Sequence, residues 1–255
     1  MDIDLLTRRI ATAEPITSLQ MTGDSWPEID CEGARFTDCV FAEVQFSYSS
    51  FVEAHFANCR FASCRFSHAE LAGAVFKNCQ FSGEGAKACT FAFGNLHRAQ
   101  FDGCDLALTI FDRTELFAVE MRDCNLTGAR FSKVDFSRAL SRKKIETRAS
   151  FHQCKLDLAD LSGLKLQSCS LTGSRFREAD LSNADLTDAD LTHCDLFQAI
   201  LEGTTLTGAD LSGAELSGLN LLDLAGFKGM KVTDEQMFRL LDAMGIDVRT
   251  SQRGL

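Results

Sequence analysis

The chain has 255 residues, a formal net charge of −10 and 45% hydrophobic residues, with 21 Phe against one Trp and one Tyr. This apolar share predicts a substantial buried core. No apolar run of about 18 residues is present, which excludes a membrane-spanning helix. The N-terminus, MDIDLLTRRI, lacks the basic and then apolar order of a secretion signal. We therefore expect a soluble, cytoplasmic protein.

Residues 1–30 precede the repetitive part of the chain and predict an N-terminal cap or extension. Ile3, Leu5, Leu6 and Ile10 are spaced to form one face of a short helix, which Pro15 ends. Terminal segments of this kind cover the open end of the core in repeat proteins. We expect the same role here.

Residues 31–225 carry a period of five, clearest in ADLSNADLTDADLTHCDL at 179–196. Of the 38 positions from 36 to 221 whose numbers end in 1 or 6, all but Ala86, Ser141 and Glu146 are Phe, Leu or Met. A period of five fits neither the 3.6 of a helix nor the 2.0 of a strand. The chain must turn by a constant amount after each repeat, which predicts an all-β solenoid.

Ten of the 11 cysteines have numbers ending in 4 or 9, the position that Ala54, Ala184 and Ala209 occupy elsewhere. A position that accepts Ala or Cys selects small buried side chains, and free Cys is among the most buried residue types. Paired Cys-x-x-Cys and His motifs are absent from the sequence, so we expect reduced, packed thiols and neither a metal site nor a cofactor.

Two interruptions, at 82–90 and 137–150, are predicted to be loops that leave the solenoid without changing its phase. The second is basic. The candidate partner-binding residues are Glu84 and Lys87 in the first loop, and Arg138, Arg142, Lys143, Lys144, Ile145, Glu146 and Arg148 in the second. Two other interpretations of the second loop stay open: it is a solvated tip, or it folds back on the acidic repeats.

Residues 226–255 predict a C-terminal helix and tail. The sequence from Thr233 to Gln236 is a capping box, and Gly245 is a stop signal. The apolar face of the helix has two interpretations: it seals the last coil, or it also mates with a second copy. The candidate dimerisation residues are Met237, Phe238, Leu240, Leu241, Met244 and Ile246.

The recurring A/C-D/N-L/F-x-x motif resembles that of pentapeptide-repeat proteins. That family implies a right-handed quadrilateral β-helix, with two loop insertions and a helical cap in this chain. At a strand spacing of about 4.8 Å, about nine coils would form a rod. The segments LFAVEMRDCNLTGARF, IETRASFHQCKL and LLDAMGIDV are similar to the Qnr-type quinolone-resistance subfamily. The resemblance implies binding to DNA gyrase and topoisomerase IV, protection from quinolones, and a homodimer formed through the C-terminus.

The acidic repeats at 156–225 carry a net charge of −9. At the sheet spacing this is about one negative charge per 2 Å of axis, and duplex DNA carries one per about 1.7 Å. We therefore predict a DNA mimic that a basic saddle would attract and that does not bind DNA itself. Its acidic face would comprise Asp160, Asp180, Asp185, Asp188, Asp190, Asp195, Asp210 and Glu215.

Two alternatives to mimicry stay open: Asp before Leu is a general preference of the repeat, and the chain is a non-catalytic scaffolding module for protein–protein interaction. Catalysis is not expected. The five His are scattered, none with a nucleophile and an identifiable third partner, and no Gly-rich phosphate loop is present.

Overall fold

The computed structural model describes residues 3–12, 14–23, 26, 30–82, 87–141 and 144–247, with the backbone alone for 3–6. Its main element is a stack of parallel coils. One sheet contains seven strands: β1 (Ile16–Thr17), β3 (Arg35–Thr37), β5 (His55–Ala57), β7 (Val75–Lys77), β8 (Gln100–Asp102), β9 (Val119–Arg122) and β12 (Ala149–His152). A second sheet contains β2 (Gln20–Thr22), β4 (Val40–Ala42) and β6 (Arg60–Ala62).

Four pentapeptides complete one coil, because Phe36 pairs with Phe56 and Phe41 pairs with Phe61, each four repeats further along the chain. The predicted right-handed quadrilateral β-helix is confirmed. We number its four faces by the central side chains of one coil, so that faces 1 to 4 carry Phe36, Phe41, Phe46 and Phe51.

The corners between faces explain the period of five. From Ser18 to Gly218, every described residue with positive φ has a number ending in 3 or 8. A left-handed residue two places after each central side chain turns the chain toward the next face. The central side chain and the small residue two places before it then point inward, which is why these two positions carry the pattern.

Stacked phenylalanines fill the N-terminal half of the core. On face 1, the rings of Phe36, Phe56, Phe76 and Phe101 are nearly parallel, and successive centroids lie 4.8 Å apart. This distance is that of neighbouring strands in a sheet, so each ring covers the one below it. Leucines take over in the C-terminal half, where Leu171 and Leu191 continue the same face.

All eleven cysteines are free and buried, as predicted. Most of them follow one another on face 2, and each thiol there donates to a carbonyl of the coil before it. The Sγ atom of Cys59 lies 3.6 Å from the oxygen of Phe36, and that of Cys79 lies 3.4 Å from the oxygen of Phe56. Burial and the neighbouring carboxylates raise the pKa of Cys194 to about 12, so this thiol stays protonated.

The β-helix is longer at both ends than the predicted range of 31–225. It begins at Ile16, which pairs with Phe36 on face 1, and Met21 pairs with Phe41 on face 2. At the other end, Lys231 pairs with Asp210, one position out of phase with the repeat. The 3₁₀ helix Leu221–Asp223 adds one residue to this coil. Residues after 221 therefore no longer have inward positions at numbers ending in 1 or 6, and the repeat cannot be recognised there from the numbering.

Both loops are shorter than predicted. Cys89 is buried and Thr90 bridges Arg65, so the first loop rejoins the core before residue 89, and its central residues 83–86 lie outside the described residues. The second loop ends before Ala149, where β12 begins. It is an antiparallel hairpin of β10 (Ser137–Ser141) and β11 (Lys144–Thr147).

Two helices flank the β-helix, α1 (Ile3–Ala11) and α2 (Asp234–Ala243), where the sequence predicts them. Both halves of the Thr233–Gln236 capping box are present at the start of α2. The residues from 248 onward lie outside the described part of the chain. Neither helix has the length and apolar run that crossing a membrane requires.

Candidate partner-binding surfaces

The acidic repeats do not form one acidic face, which corrects the expectation from the sequence. Because each pentapeptide occupies one side of a coil, Asp180, Asp185, Asp190 and Asp195 lie on faces 3, 4, 1 and 2 in turn. Of the other predicted residues, Asp160 lies on face 3, Asp188 at the end of face 4, Asp210 on face 1 and Glu215 on face 2.

The aspartates before each central Leu also have a structural role. In each, Oδ1 accepts a hydrogen bond from the backbone N–H two residues later: from Ser182 to Asp180 at 2.9 Å, and from Thr192 to Asp190 at 3.0 Å. This is the Asx-type contact that stabilises a tight turn. The repeat therefore favours Asp for its corner geometry, independently of any partner.

Ion pairs neutralise four of the carboxylates on faces 1 and 2, whereas Asp190 on face 1 has no ion pair within the described residues. Distances between the nearest nitrogen and oxygen are 2.6 Å for Arg175–Asp157, 2.6 Å for Arg177–Asp195, 3.7 Å for Lys231–Asp210 and 3.9 Å for Arg239–Glu215. Two of these bases, Lys231 and Arg239, come from outside the acidic repeats. The charge sum of the segment alone therefore overstates the negative charge on these faces.

Five carboxylates on faces 3 and 4 of the same coils have no ion pair in the described part of the chain, although the base Lys165 lies beside Asp185 on face 4. Asp160, Asp180 and Glu202 lie on face 3, and Asp185 and Asp188 on face 4; within the described residues none of the five has an ion pair within 4.0 Å. We call these five residues the acidic strip. Glu202 was not predicted from the sequence because it follows its central Leu instead of preceding it.

Hydrogen bonds favour the ionised form of two carboxylates of the acidic repeats, Asp185 and Glu215. Partial burial opposes ionisation of Asp185, but hydrogen bonds from Thr187 and Gln167 outweigh it and hold the pKa of that carboxyl below its usual range. A hydrogen bond from Ser217 lowers the pKa of Glu215 in the same way. These two carboxylates therefore keep their negative charge at a more acidic pH than an ordinary carboxyl group does.

The first loop leaves the β-helix at the corner between faces 2 and 3. The backbone N–H of Lys87 donates to Oγ of Ser63 at 2.9 Å, which ties the end of the loop to the preceding coil. Glu84, the other residue predicted here, lies outside the described residues. The loop adds one pentapeptide to its coil, because Val75 pairs with Gln100, five repeats further along the chain instead of four.

The hairpin of the second loop projects from the corner between faces 4 and 1. The Arg138 guanidinium lies 5.9 Å from the centre of the Phe117 ring, in cation–π contact with face 4. At the base of the hairpin, the Arg148 N–H donates to the carbonyl of Phe136 at 3.0 Å. Ile145 is 71% exposed. Arg142 and Lys143, which were also predicted in this loop, lie outside the described residues.

The structure brings the remaining predicted hairpin residues together. Lys144, Ile145, Glu146 and Arg148 line one side of a groove of about 810 Å³, and Lys165 lies on its other side, on face 4. Lys165 was not predicted from the sequence, because it lies several repeats after Arg148 and only the coil geometry places the two side by side.

The apolar residues of α2 divide between two roles. Leu240 is 7% exposed and packs on the last coils, so it belongs to the core of one chain and not to a dimer interface, which corrects its assignment. Leu241 is half-buried, and Met237, Phe238, Met244 and Ile246 are exposed. The predicted seal thus exists, and a second apolar surface remains uncovered within one chain.

A profile of pentapeptide repeats matches 8 copies in this sequence, over residues 49–83, 94–132, 119–140, 159–196 and 189–221. Comparison with curated proteins finds no significant match.

Among solved structures, a trypsin-treated variant of QnrB1, a plasmid-mediated fluoroquinolone resistance protein, is similar, with a TM-score of 0.76 and 25% identity. The match covers 91% of this chain and 100% of that one. Full-length QnrB1 gives a TM-score of 0.75 at 25% identity, over 90% and 99% of the two chains. The matched repeats span more than half of the sequence, and the four-sided coil is the fold that their period requires, so the chain belongs to the family of pentapeptide-repeat proteins.

Proposed function

We propose that this chain is a DNA-mimicking protein that binds a type II topoisomerase, DNA gyrase or topoisomerase IV, in the cytoplasm and protects it from quinolones or similar poisons. The observation that carries the proposal is the similarity to QnrB1, a fluoroquinolone resistance protein, which extends over 91% of this chain and all of the other.

The acidic strip supports this function. Its five carboxylates occupy adjoining faces of three successive coils and are not neutralised by ion pairs within the described residues. A rod with such a surface is attracted to a basic groove built for DNA, and the attraction weakens as salt screens it. Faces 1 and 2, on which four carboxylates are ion-paired, would then face away from the enzyme.

The C-terminal end supports a homodimer. Met237, Phe238, Met244 and Ile246 are exposed on or just after α2, and Leu222 is 78% exposed at the same end of the β-helix. An apolar surface of this kind is unfavourable in water and is typical of an interface. A second copy, docked end to end, would cover it and give a rod twice as long.

A supercoiling assay with purified gyrase, with and without a fluoroquinolone, tests the function. We expect the protein to restore supercoiling in the presence of the drug. The strip variant D160N/D180N/E202Q should weaken this effect about tenfold or more, because three charges leave the proposed contact. Asn keeps a side-chain oxygen for the corner hydrogen bond, so the fold should survive.

The matched control is D157N/D195N/D210N, which removes three charges of the same repeats from faces 1 and 2. It should retain protection within about threefold, because these carboxylates lie away from the proposed contact and exposed ion pairs contribute little. Equal losses in both variants would show that net charge matters and the strip does not. No effect of the unmodified protein at micromolar concentration would leave the scaffolding module as the better explanation.

Removal of the hairpin tests the loops. The deletion should span residues 137–147, closed by two glycines between Phe136 and Arg148, whose backbones are already hydrogen-bonded at 3.0 Å. A longer deletion to Ser150 would remove part of β12 and damage the β-helix. We expect loss of drug protection with an unchanged circular dichroism spectrum.

A further inference from the structure

The groove between the hairpin and face 4 is large enough for a peptide segment. Its volume is about 810 Å³, within the range of sites that enclose a drug-sized ligand. Its walls are the hairpin on one side and Lys165, Gln167 and Ser168 of face 4 on the other. The groove is open to solvent, and its face 4 wall belongs to the acidic repeats.

The hairpin offers a backbone edge. In the described part of the chain, the sheet formed by β10 and β11 has only these two strands, and neither pairs with the coils. Each strand therefore has an outer side that is not paired with another strand. Such an edge accepts an extended peptide as an added strand, with main-chain hydrogen bonds giving affinity.

The charge of the groove selects the peptide. Lys144, Arg148 and Lys165 line it against a single carboxylate, Glu146, in a protein whose net charge is −10. An acidic segment would be attracted to this local positive potential. Beyond the groove, Asp185 repels the same segment, which confines it to the hairpin and keeps it off the acidic strip.

The groove also has apolar contacts for such a peptide. Leu140 is 48% exposed and Ile145 is 71% exposed, both in the lining. In an extended peptide, alternate side chains point to opposite sides. A segment that alternates acidic and β-branched residues would place its apolar side chains on Leu140 and Ile145 and its carboxylates near the lysines and arginine.

The floor of the groove is held in place before any peptide binds. Oγ1 of Thr147 donates to Oε1 of Gln167 at 3.4 Å, and Nε2 of Gln167 donates to Oδ2 of Asp185 at 2.7 Å. On the opposite side, Arg138 packs on Phe117. These contacts fix the hairpin relative to face 4, which lowers the entropic cost of binding.

We infer that this groove binds an extended acidic segment of a partner protein, which adds a strand to the hairpin. The inference deepens the proposed function and rests on it for one point, that the hairpin is a partner contact. It gives that contact a chemistry opposite to that of the acidic strip. The acidic strip of this protein would thus face a basic groove of the enzyme. The basic groove beside the hairpin would bind an acidic segment of the partner.

Fluorescence anisotropy with a short fluorescein-labelled peptide that alternates Glu and Val tests the inference. The full-length protein should bind it at least about tenfold more tightly than a peptide with Lys in place of Glu, a difference typical of a few charge contacts. The variant R148E/K165E should lose this preference. The control Lys155→Glu, a charge reversal of the same kind on face 2, should bind within about twofold of the unmodified protein.

Two outcomes would overturn the inference: equal binding of the Glu and Lys peptides, or unchanged binding by R148E/K165E. A peptide methylated at alternate backbone nitrogens tests strand addition, because it cannot form the ladder; equal binding of this peptide would refute that mode. The assay contains no topoisomerase. Its failure would leave the gyrase result intact, and failure in the gyrase assay would leave the peptide result intact.

Discussion

Gln236 joins α2 to the last coils, and its removal should free the helix. The side chain is 7% exposed. Its Nε2 donates to the carbonyl oxygens of Leu211 and Ala214 at 2.8 Å each, and its Oε1 accepts from the N–H groups of Thr233 at 2.7 Å and Gly213 at 3.3 Å. One side chain thus satisfies four backbone groups.

Gln236→Ala removes all four bonds. Each hydrogen bond contributes about 0.5–1.5 kcal/mol net, and a buried group left without a partner costs about 1–3 kcal/mol. Water reaches some of these groups once the helix shifts, so we expect a loss of about 3 kcal/mol. In a solenoid, each unit contacts only its neighbours, so the loss should fall on opening of α2 and the last coil and not on the whole rod.

Amide hydrogen exchange followed by mass spectrometry measures this opening directly. A loss of about 3 kcal/mol corresponds to roughly 100-fold faster exchange in 234–243. The control is Glu235→Ala, whose side chain is 77% exposed and paired only with Arg239; it should change exchange by less than about threefold. Equal exchange in the two variants would show that the four hydrogen bonds do not hold the helix.

Three further predictions concern packing, pH and assembly. Phe76→Ala removes one ring from the stack on face 1 and should cost about 3–5 kcal/mol in urea unfolding; a cost below about 1 kcal/mol would contradict the tight stack. The lowered pKa values of Asp185 and Glu215 mean that the folded state binds protons less readily than the unfolded state. These two carboxylates stabilise the folded state fully above about pH 5, and this stabilisation is lost as pH falls through about 4 and below. The melting temperature should therefore drop in that acidic range. An unchanged melting temperature would contradict the direction of the two pKa shifts. M237E/F238E should convert a dimer to a monomer in light scattering with an unchanged circular dichroism spectrum, because both side chains are exposed within one chain; a variant that stays dimeric would refute this interface.

The sequence predicted the interior of this protein almost completely. The inward positions, the small position before them and the capping box of α2 are local features, because each depends on the turn of one pentapeptide or on one helical turn. Phe76 and Cys79 can therefore be assigned to the core from their numbers alone, and both are fully buried. The thiols were correctly expected to be free for the same reason.

The outer surface depends on features that no single repeat contains. The number of repeats per coil decides which aspartates share a face. Paired strands are four repeats apart in most coils, five repeats apart across the first loop and six repeats apart across the second. Ion pairs then neutralise Asp195 and Asp210 but leave Asp160 and Asp180, a distinction that charge counting along the chain misses.

Periodicity alone therefore determined the fold and the buried positions within the repeats, because inward packing repeats with the chain. Only the tertiary structure determined the faces. It separated the acidic strip from the neutralised carboxylates, placed Lys165 beside the hairpin and assigned Leu240 to the core. The physical reason is that neighbours on a face are four or more repeats apart in sequence but only about 4.8 Å apart in space, so contacts between coils decide what each surface presents.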